Sequence, residues 1–501
     1  MKKFIALLLV CSLVFTLTAC GDEATETTTQ TEQYILPTTI IDADISVPYT
    51  SADSFAPYEA RSGFNRDLVT VLYESLYIQS ADGRGTRVLA SSETVADKTV
   101  TVTLVSGVTF TDGTVLTADH VKSSYETASS NEYYAASLSN ISSVTVADSN
   151  TVVFQLTNPD PMVLNTLCFP IFKSSGDGYV GSGKYYIDYL EEVPFLAVNT
   201  AHRDYADTWN KQIAMYDMAG ISSPIYPFSA NEISIYRNDL SHGEYTNLSS
   251  VTVSEQMNNL VYIGLNSNWA GTVVSNGWFR KVINIGVNRA SIASTSFLGQ
   301  TNAVSTFFRE DFYMLEGVDR ASLDADVLGA VAILEENGYS SFNGDGVRTN
   351  GSNSLNVSIL VCSVNPYKVA VAEAVKTSLE ALGIGVTINE TATMEDYVAA
   401  LEEGFFDLYI GETQLTANCC LDEFFSAEGA LRYGINEELY GNYYSYKTGE
   451  SSVADFVSLC NEAVPVVPLF YRKSVVSINP NVTGVDPAMP VYSGICSWVL
   501  E

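Results

Sequence analysis

Histidine is nearly missing from this chain of 501 residues: His120, His202 and His242 are the three, and they stand far apart. With so few imidazoles, the usual general bases and the commonest metal ligands are scarce. No HExxH, no GxSxG and no glycine-rich phosphate loop occurs, which removes the standard signatures of zinc peptidases, serine hydrolases and P-loop enzymes. Positive charge is the second shortage. Lys and Arg number 25 against 58 Asp and Glu, a formal net charge of −33. Such a surface repels phosphate backbones and anionic headgroups, so nucleic acid is excluded as a partner and the bare bilayer as a docking surface. A solvated acidic exterior accounts for this charge better than a trap for cations does. After Cys20 the cysteines are Cys168, Cys362, Cys419, Cys420, Cys460 and Cys496, and their spacing matches no zinc pattern. An adjacent pair such as Cys419-Cys420 rarely bridges within itself, and disulfide pairing is left open. Internal repeats are lacking, and beyond the first residues no hydrophobic run approaches membrane length.

What is present begins with Lys2-Lys3 followed by an almost unbroken apolar run, Phe4 to Leu17. This has signal-peptide length and is too short to span a bilayer, which takes about 20 apolar residues. Its end, Leu17-Thr18-Ala19-Cys20, resembles the bacterial lipobox, whose cysteine is acylated and becomes the first mature residue. The alternative is an ordinary secretory signal with an incidental cysteine. Residues 1–19 are thus expected to be a lipoprotein signal peptide. Residues 20–35, polar and poor in hydrophobes, are expected to form a flexible tether.

The remainder mixes strands and helices. Thr99–Leu104 alternates with period two, as a half-buried strand does. Asp112-Gly113 marks a turn, Thr117 can cap a helix with Val121 and Tyr125 on one face, and 144–147 with 151–156 reads as a hairpin. Farther on, a helix carries Val327, Val331 and Leu334 on one face and stops at Asn337-Gly338. Asn343-Gly344-Asp345-Gly346 is a plain turn, since a calcium loop would need further spacing and a terminal glutamate. Strand 355–361, helix 368–382 with its stripe of Val371, Val375, Leu379 and Leu382, and strand 384–388 make a βαβ unit. A helix near 395–403 and a strand at 407–411 extend it.

Seven segments together resemble the bacterial extracellular solute-binding proteins of the oligopeptide and dipeptide type, family 5. They are Phe110 to Val121 with its DG turn; Gly181-Ser182-Gly183-Lys184-Tyr185; and Tyr262 to Asn266. Then come Trp278 to Ile283 with Asn288-Arg289; the turn–strand–helix–strand order of 343–410; Pro465 to Leu469; and Val482 to Val485. The resemblance implies an α/β, two-lobed periplasmic-binding-protein-like fold of type II, in the large peptide-binding subgroup, with an extra α+β accessory domain. It implies a main lobe of residues 36–58, 180–268 and 475–501, an accessory domain of 59–179 and a second lobe of 269–474. The function it implies is that of a binding protein rather than an enzyme. It would capture a small solute, above all an oligopeptide or dipeptide, in the cleft and deliver it to ABC transporter permease subunits. The expected protein is a monomer without cofactor or metal, held outside the cell by its lipid alone.

In peptide-binding relatives an aspartate after the G-x-F-D segment holds the ligand's ammonium group, because a charge buried on closure needs a charged partner. Here that position falls near Thr416 or Ala417, neither acidic, and Thr413 stands where an aromatic residue is common. Either Glu412 or Asp422 substitutes from a shifted loop, or the ligand is not an ordinary free-amino peptide. If the segment stays extended, Glu412, Gln414, Thr416 and Asn418 share a face and are ligand-binding candidates, with Tyr409 as an aromatic wall. Asn266 and Arg280 resemble structural landmarks. Alternatives are the same fold binding a sugar, whose faces suit aromatic clefts, or a metal such as nickel or its chelate. The scarcity of histidine lowers the metal reading, because the site would have to rely on carboxylates or a bound chelator. A surface-anchored cell-wall hydrolase would need one of the three histidines beside a nucleophile. An adhesin, a further class, would be expected to show repeats.

Overall fold

Period-two alternation builds the largest sheet. Along the strand Val251–Leu265, Val261, Ile263 and Leu265 enter one apolar core while Leu260 and Tyr262 enter the opposite one. Asn356–Cys362 divides likewise, with Val357, Ile359 and Val361 on the first side and Leu360 and Cys362 on the second. In order, the strands are Ile235–Asn238, Val466–Ile478, Val251–Leu265, Leu408–Gln414, Asn356–Cys362 and Gly385–Thr391, and Thr301–Ala303 pairs with Val466–Ile478. This computed structural model describes residues 41–501 apart from 177, 270, 427, 428, 434, 436 and 487–489. The expected signal peptide, Cys20 and the tether lie outside the described residues.

The βαβ unit is present. Asn356–Cys362 and Gly385–Thr391 are parallel, joined by the helix Pro366–Glu380. Asn365 caps that helix by accepting the Tyr367 N–H, Pro366 opens it, and Gly383 turns the chain away at φ +82°. The stripe of Val371, Val375, Leu379 and Leu382 is buried as expected. The helix Val327–Glu336 departs from expectation: Ala330 and Leu334 form its buried face, and Val327 is 44% exposed. Ala330 faces Gly286 of the helix Gly277–Gly286 in ordinary van der Waals contact, and Leu382 fills the space where a Cβ on Gly286 would lie, 2.5 Å away.

A second sheet is antiparallel, in the order Ala90–Ala96, Thr99–Leu104, Thr151–Leu156, Ile141–Asp148. Val100, Val102 and Leu104 point into its core with Val152, Phe154 and Leu156. The helix Ala118–Ala128 covers it, and His120 closes a capping box there with Thr117. A third sheet pairs Ser46–Tyr49 in parallel with Gln212–Asp217, followed by Val193–Val198 and Tyr185–Leu190. The helix Gly63–Leu72 packs on it. Gly181 and Gly183 let the chain pass that helix: a Cβ at Gly181 would sit 2.0 Å from the Leu72 carbonyl oxygen.

Two long strands link these regions. Val466–Ile478 starts between the faces of the large sheet and ends, through Val476 and Ile478, in the core of the third sheet. Val251–Leu265 runs antiparallel beside it, and their ladder is interrupted between Gln256 and Leu260. Among the described residues no helix is long and apolar enough to cross a membrane.

Candidate functional site

Where the ladder breaks, the sequence changes character. Ser254-Glu255-Gln256-Met257-Asn258-Asn259 is polar inside a strand that is otherwise apolar, and its extra residues bulge from the pairing. A cavity of about 480 Å³ opens against this bulge. Gln79, at the end of the short strand Tyr77–Gln79, closes one side with Ser80 and Ala81; Gln414 and Lys473 reach it from the large sheet, and Arg309 and Pro490 complete it. The site is thus assembled from segments distant in sequence, as ligand clefts between packed units usually are.

Of the five candidates, Gln414 lines this cavity, paired in register with Asn259. Glu412 is close but occupied. Its carboxylate takes the Arg472 Nε–H at 2.6 Å, Lys368 Nζ at 2.9 Å and the Asn259 amide at 2.8 Å. Burial alone would raise its pKa, yet the Lys368 and Arg472 charges outweigh burial and hold the carboxyl below its ordinary range. Tyr409 is 1% exposed and belongs to an aromatic core with Tyr262, Phe406 and Tyr433, so it is packing rather than a cleft wall. Thr416 and Asn418 do not continue the strand, which ends at Gln414. Thr416 Oγ1 donates to Asn418 Oδ1 and accepts the Cys420 N–H, a turn that removes the shared face expected for 412, 414, 416 and 418. Asp422 is committed as well, to Lys447 Nζ at 2.6 Å and to the Tyr443 hydroxyl. Neither proposed substitute for the missing aspartate carries a spare charge.

The turn does bridge the cleft. The Ala417 carbonyl accepts from Gln79 Nε2 at 2.9 Å and Asn165 Nδ2 at 3.2 Å, and Asn418 Nδ2 donates to Asp160. The Tyr313 N–H donates to the Asp82 carbonyl, and Arg309 to that of Ala81. Within this turn Cys419 adopts φ +50°, and desolvation pushes its thiol up to about 12. Asn266 and Arg280 act structurally: each donates only to backbone carbonyls, Asn266 to Gly404 and Phe406, Arg280 to Ala463, Val274 and Ser275.

Sequence reasoning did not single out Gln79, Asn258, Asn259, Arg309 or Lys473. The polar run 254–259 was the legible signal for two of these. The others arrive by tertiary pairing alone. What the cavity offers is amide donors and acceptors, the hydroxyls of Ser80 and Ser254, the carboxylate of Glu255 and the cations Arg309 and Lys473, with no histidine in its lining to serve as a base. His120 is spent in its capping box, and His202 is buried beside Glu74, Nε2 to Oε1 3.4 Å.

Comparison with known proteins agrees with this layout. Residues 86–418 match the sequence model of the bacterial extracellular solute-binding proteins, family 5 Middle. The glutathione-binding protein GsiB of Salmonella typhi is 27% identical over 178 residues, 32% of this chain and 34% of that protein. The chain thus spans about a third of the length of the curated relatives it matches. The unliganded open form of the periplasmic murein tripeptide binding protein MppA superposes with a TM-score of 0.73 at 15% identity, over 91% of this chain and 97% of that one. NikA from Brucella suis in complex with Fe(III)-EDTA gives 0.68 at 18% identity, over 91% and 100%. These two share the two-lobed α/β fold expected above. The matched segment is about two thirds of the chain, and it makes this protein a member of the bacterial extracellular solute-binding proteins of family 5, a family of binders rather than enzymes.

Proposed function

We propose that the protein captures a short peptide for an ATP-driven importer while Cys20, acylated, tethers it outside the cell. The observation that carries the peptide reading is the cleft's amide lining, Gln79, Asn258, Asn259 and Gln414, around a buried acceptor, Asn259 Oδ1, that has no donor among the described residues. A backbone amide supplies the missing N–H and takes the facing side-chain donors in return. The named ligands of two relatives, glutathione and a murein tripeptide, are peptides of this size. In this reading a main lobe (36–58, 180–268, 475–501) carries the accessory domain 59–179, and the second lobe (269–474) closes on both as a monomer. Closure presents the loaded form to the permease.

Native mass spectrometry of protein purified from its own host tests the ligand. Release of a peptide series supports the proposal, and release of a single sugar or a metal chelate overturns the peptide assignment. A chelate is the second reading, supported by the Fe(III)-EDTA complex of the Brucella suis relative. The anchor is tested by changing Cys20 to alanine, which is expected to release the protein into the soluble fraction.

A further inference from the structure

We propose that the cleft anchors its ligand by a negative charge, at Lys473, and has no seat for a free ammonium group. The inference rests on the solute-capture reading and names the charge that the solute must carry. Glu255 is the carboxylate among the residues lining the cavity. Both of its oxygens are engaged: Oε2 takes the Arg237 guanidinium, which also holds Asp67 at 3.0 Å, and Oε1 accepts the Val491 N–H at 3.1 Å. The neighbouring acids Glu412 and Asp422 are neutralised by Arg472, Lys368 and Lys447. An ammonium group enclosed here would lose its water and find no spare carboxylate, at the cost of an unpaired buried charge.

The cations stand differently. Arg309 lies beside Asp311 at 3.5 Å and donates to the Ala81 carbonyl, which fixes it at the cleft wall. Lys473 is half-buried on the strand that crosses the cleft, and among the described residues its Nζ has no hydrogen-bond or ion-pair partner. A carboxylate arriving with the ligand satisfies Lys473 on closure, and a ligand N–H satisfies Asn259 Oδ1. The bound chain end is then the carboxylate, and a blocked amino end is tolerated.

Calorimetry on the full chain with trialanine, N-acetyl-trialanine and trialanine amide tests this. Acetylation is expected to change affinity less than threefold and amidation to weaken it at least tenfold. Lys473→Gln should abolish most of the penalty of amidation, and Lys473→Arg should restore it. A tenfold loss on acetylation, or tolerance of amidation, overturns the proposal; the first result would give the ammonium to Glu255. These two arms use the unsubstituted protein, so they decide even if Lys473→Gln fails to fold. The Fe(III)–EDTA anion, which carries no ammonium, separates the two readings should no tripeptide bind. Binding of the chelate that Lys473→Gln weakens tenfold ends the peptide reading and sustains the anion rule. Binding indifferent to Lys473, or no binding of any probe, overturns the anion rule along with the peptide reading.

Discussion

The guanidinium of Arg472 has no exposure to solvent and is held by Glu412, by the Ser241 hydroxyl and by Asp239 at 3.4 Å. Removing Arg472 leaves the buried Glu412 carboxylate with Lys368 as its remaining cation, so Arg472→Met is expected to cost about 1–3 kcal/mol in urea denaturation, less than a fully unpaired buried charge. A loss below 1 kcal/mol would mean that water reaches the pair. Because Glu412's folded pKa is depressed, the pair's contribution is complete above the unfolded carboxyl's value and fades as pH falls through the folded one. The wild-type protein should therefore lose stability below about pH 4.3, and Arg472→Met should lose less of it there. Tyr409 allows an opposite test. Among the described residues its buried hydroxyl makes no hydrogen bond of good geometry and has only the Tyr262 side chain beside it. Tyr409→Phe should therefore keep or raise stability by up to about 1 kcal/mol and leave ligand affinity unchanged. A tenfold loss of affinity would return Tyr409 to the cleft.

At the scale of the element, two glycines make the central pairing possible. Gly264 faces Tyr409 in register and Gly411 faces Tyr262, so each ring lies over the glycine opposite. A Cβ on Gly264 would fall 1.8 Å from the Tyr409 ring. Gly264→Ala is expected to lower stability by about 1–3 kcal/mol through overpacking, read as a lower melting temperature. No change would show that the rings can slide. The glycines in 262–266 and 407–411 were visible as motif letters, but the rings that need them were not. The same boundary recurs elsewhere. Alternation in Thr99–Leu104 and the stripe from Val371 to Leu382 announced their elements, because each is decided by neighbours in sequence. The end of the strand at Gln414 was not announced, since Thr416 begins a turn through its own side chain. Lys473 was invisible as a site residue for a related reason. Only the pairing of two segments some 200 residues apart sets it beside Gln256.

For the whole molecule, the two bonds at the Ala417 carbonyl belong to a set of polar contacts between regions. The set also includes Asn418–Asp160, Tyr313–Asp82, Arg309–Ala81 and Tyr444–Asn158, and the proposed function makes it a latch. Replacing both Gln79 and Asn165 by alanine removes both donors to that carbonyl. The ligand-free protein is then expected to expand, with a larger radius of gyration in small-angle scattering, and to contract again when saturated with ligand. An unchanged ligand-free radius would show that closure does not depend on this carbonyl.

The interrupted ladder has a mechanical consequence. Two strands bonded along their whole length bend as one stiff plate, whereas a plate with missing rungs flexes where they are missing. Between Gln256 and Leu260 the rungs are missing, and the cavity opens at that place. In the proposed closure the fulcrum and the ligand seat would therefore be the same few residues. Amides at 257–259 should exchange with deuterium faster than those at 251–255 and 261–265, and filling the seat should slow them first. On that reading a solute that fits would stiffen the joint by occupying it, and the chain would sense its cargo at the point about which it turns.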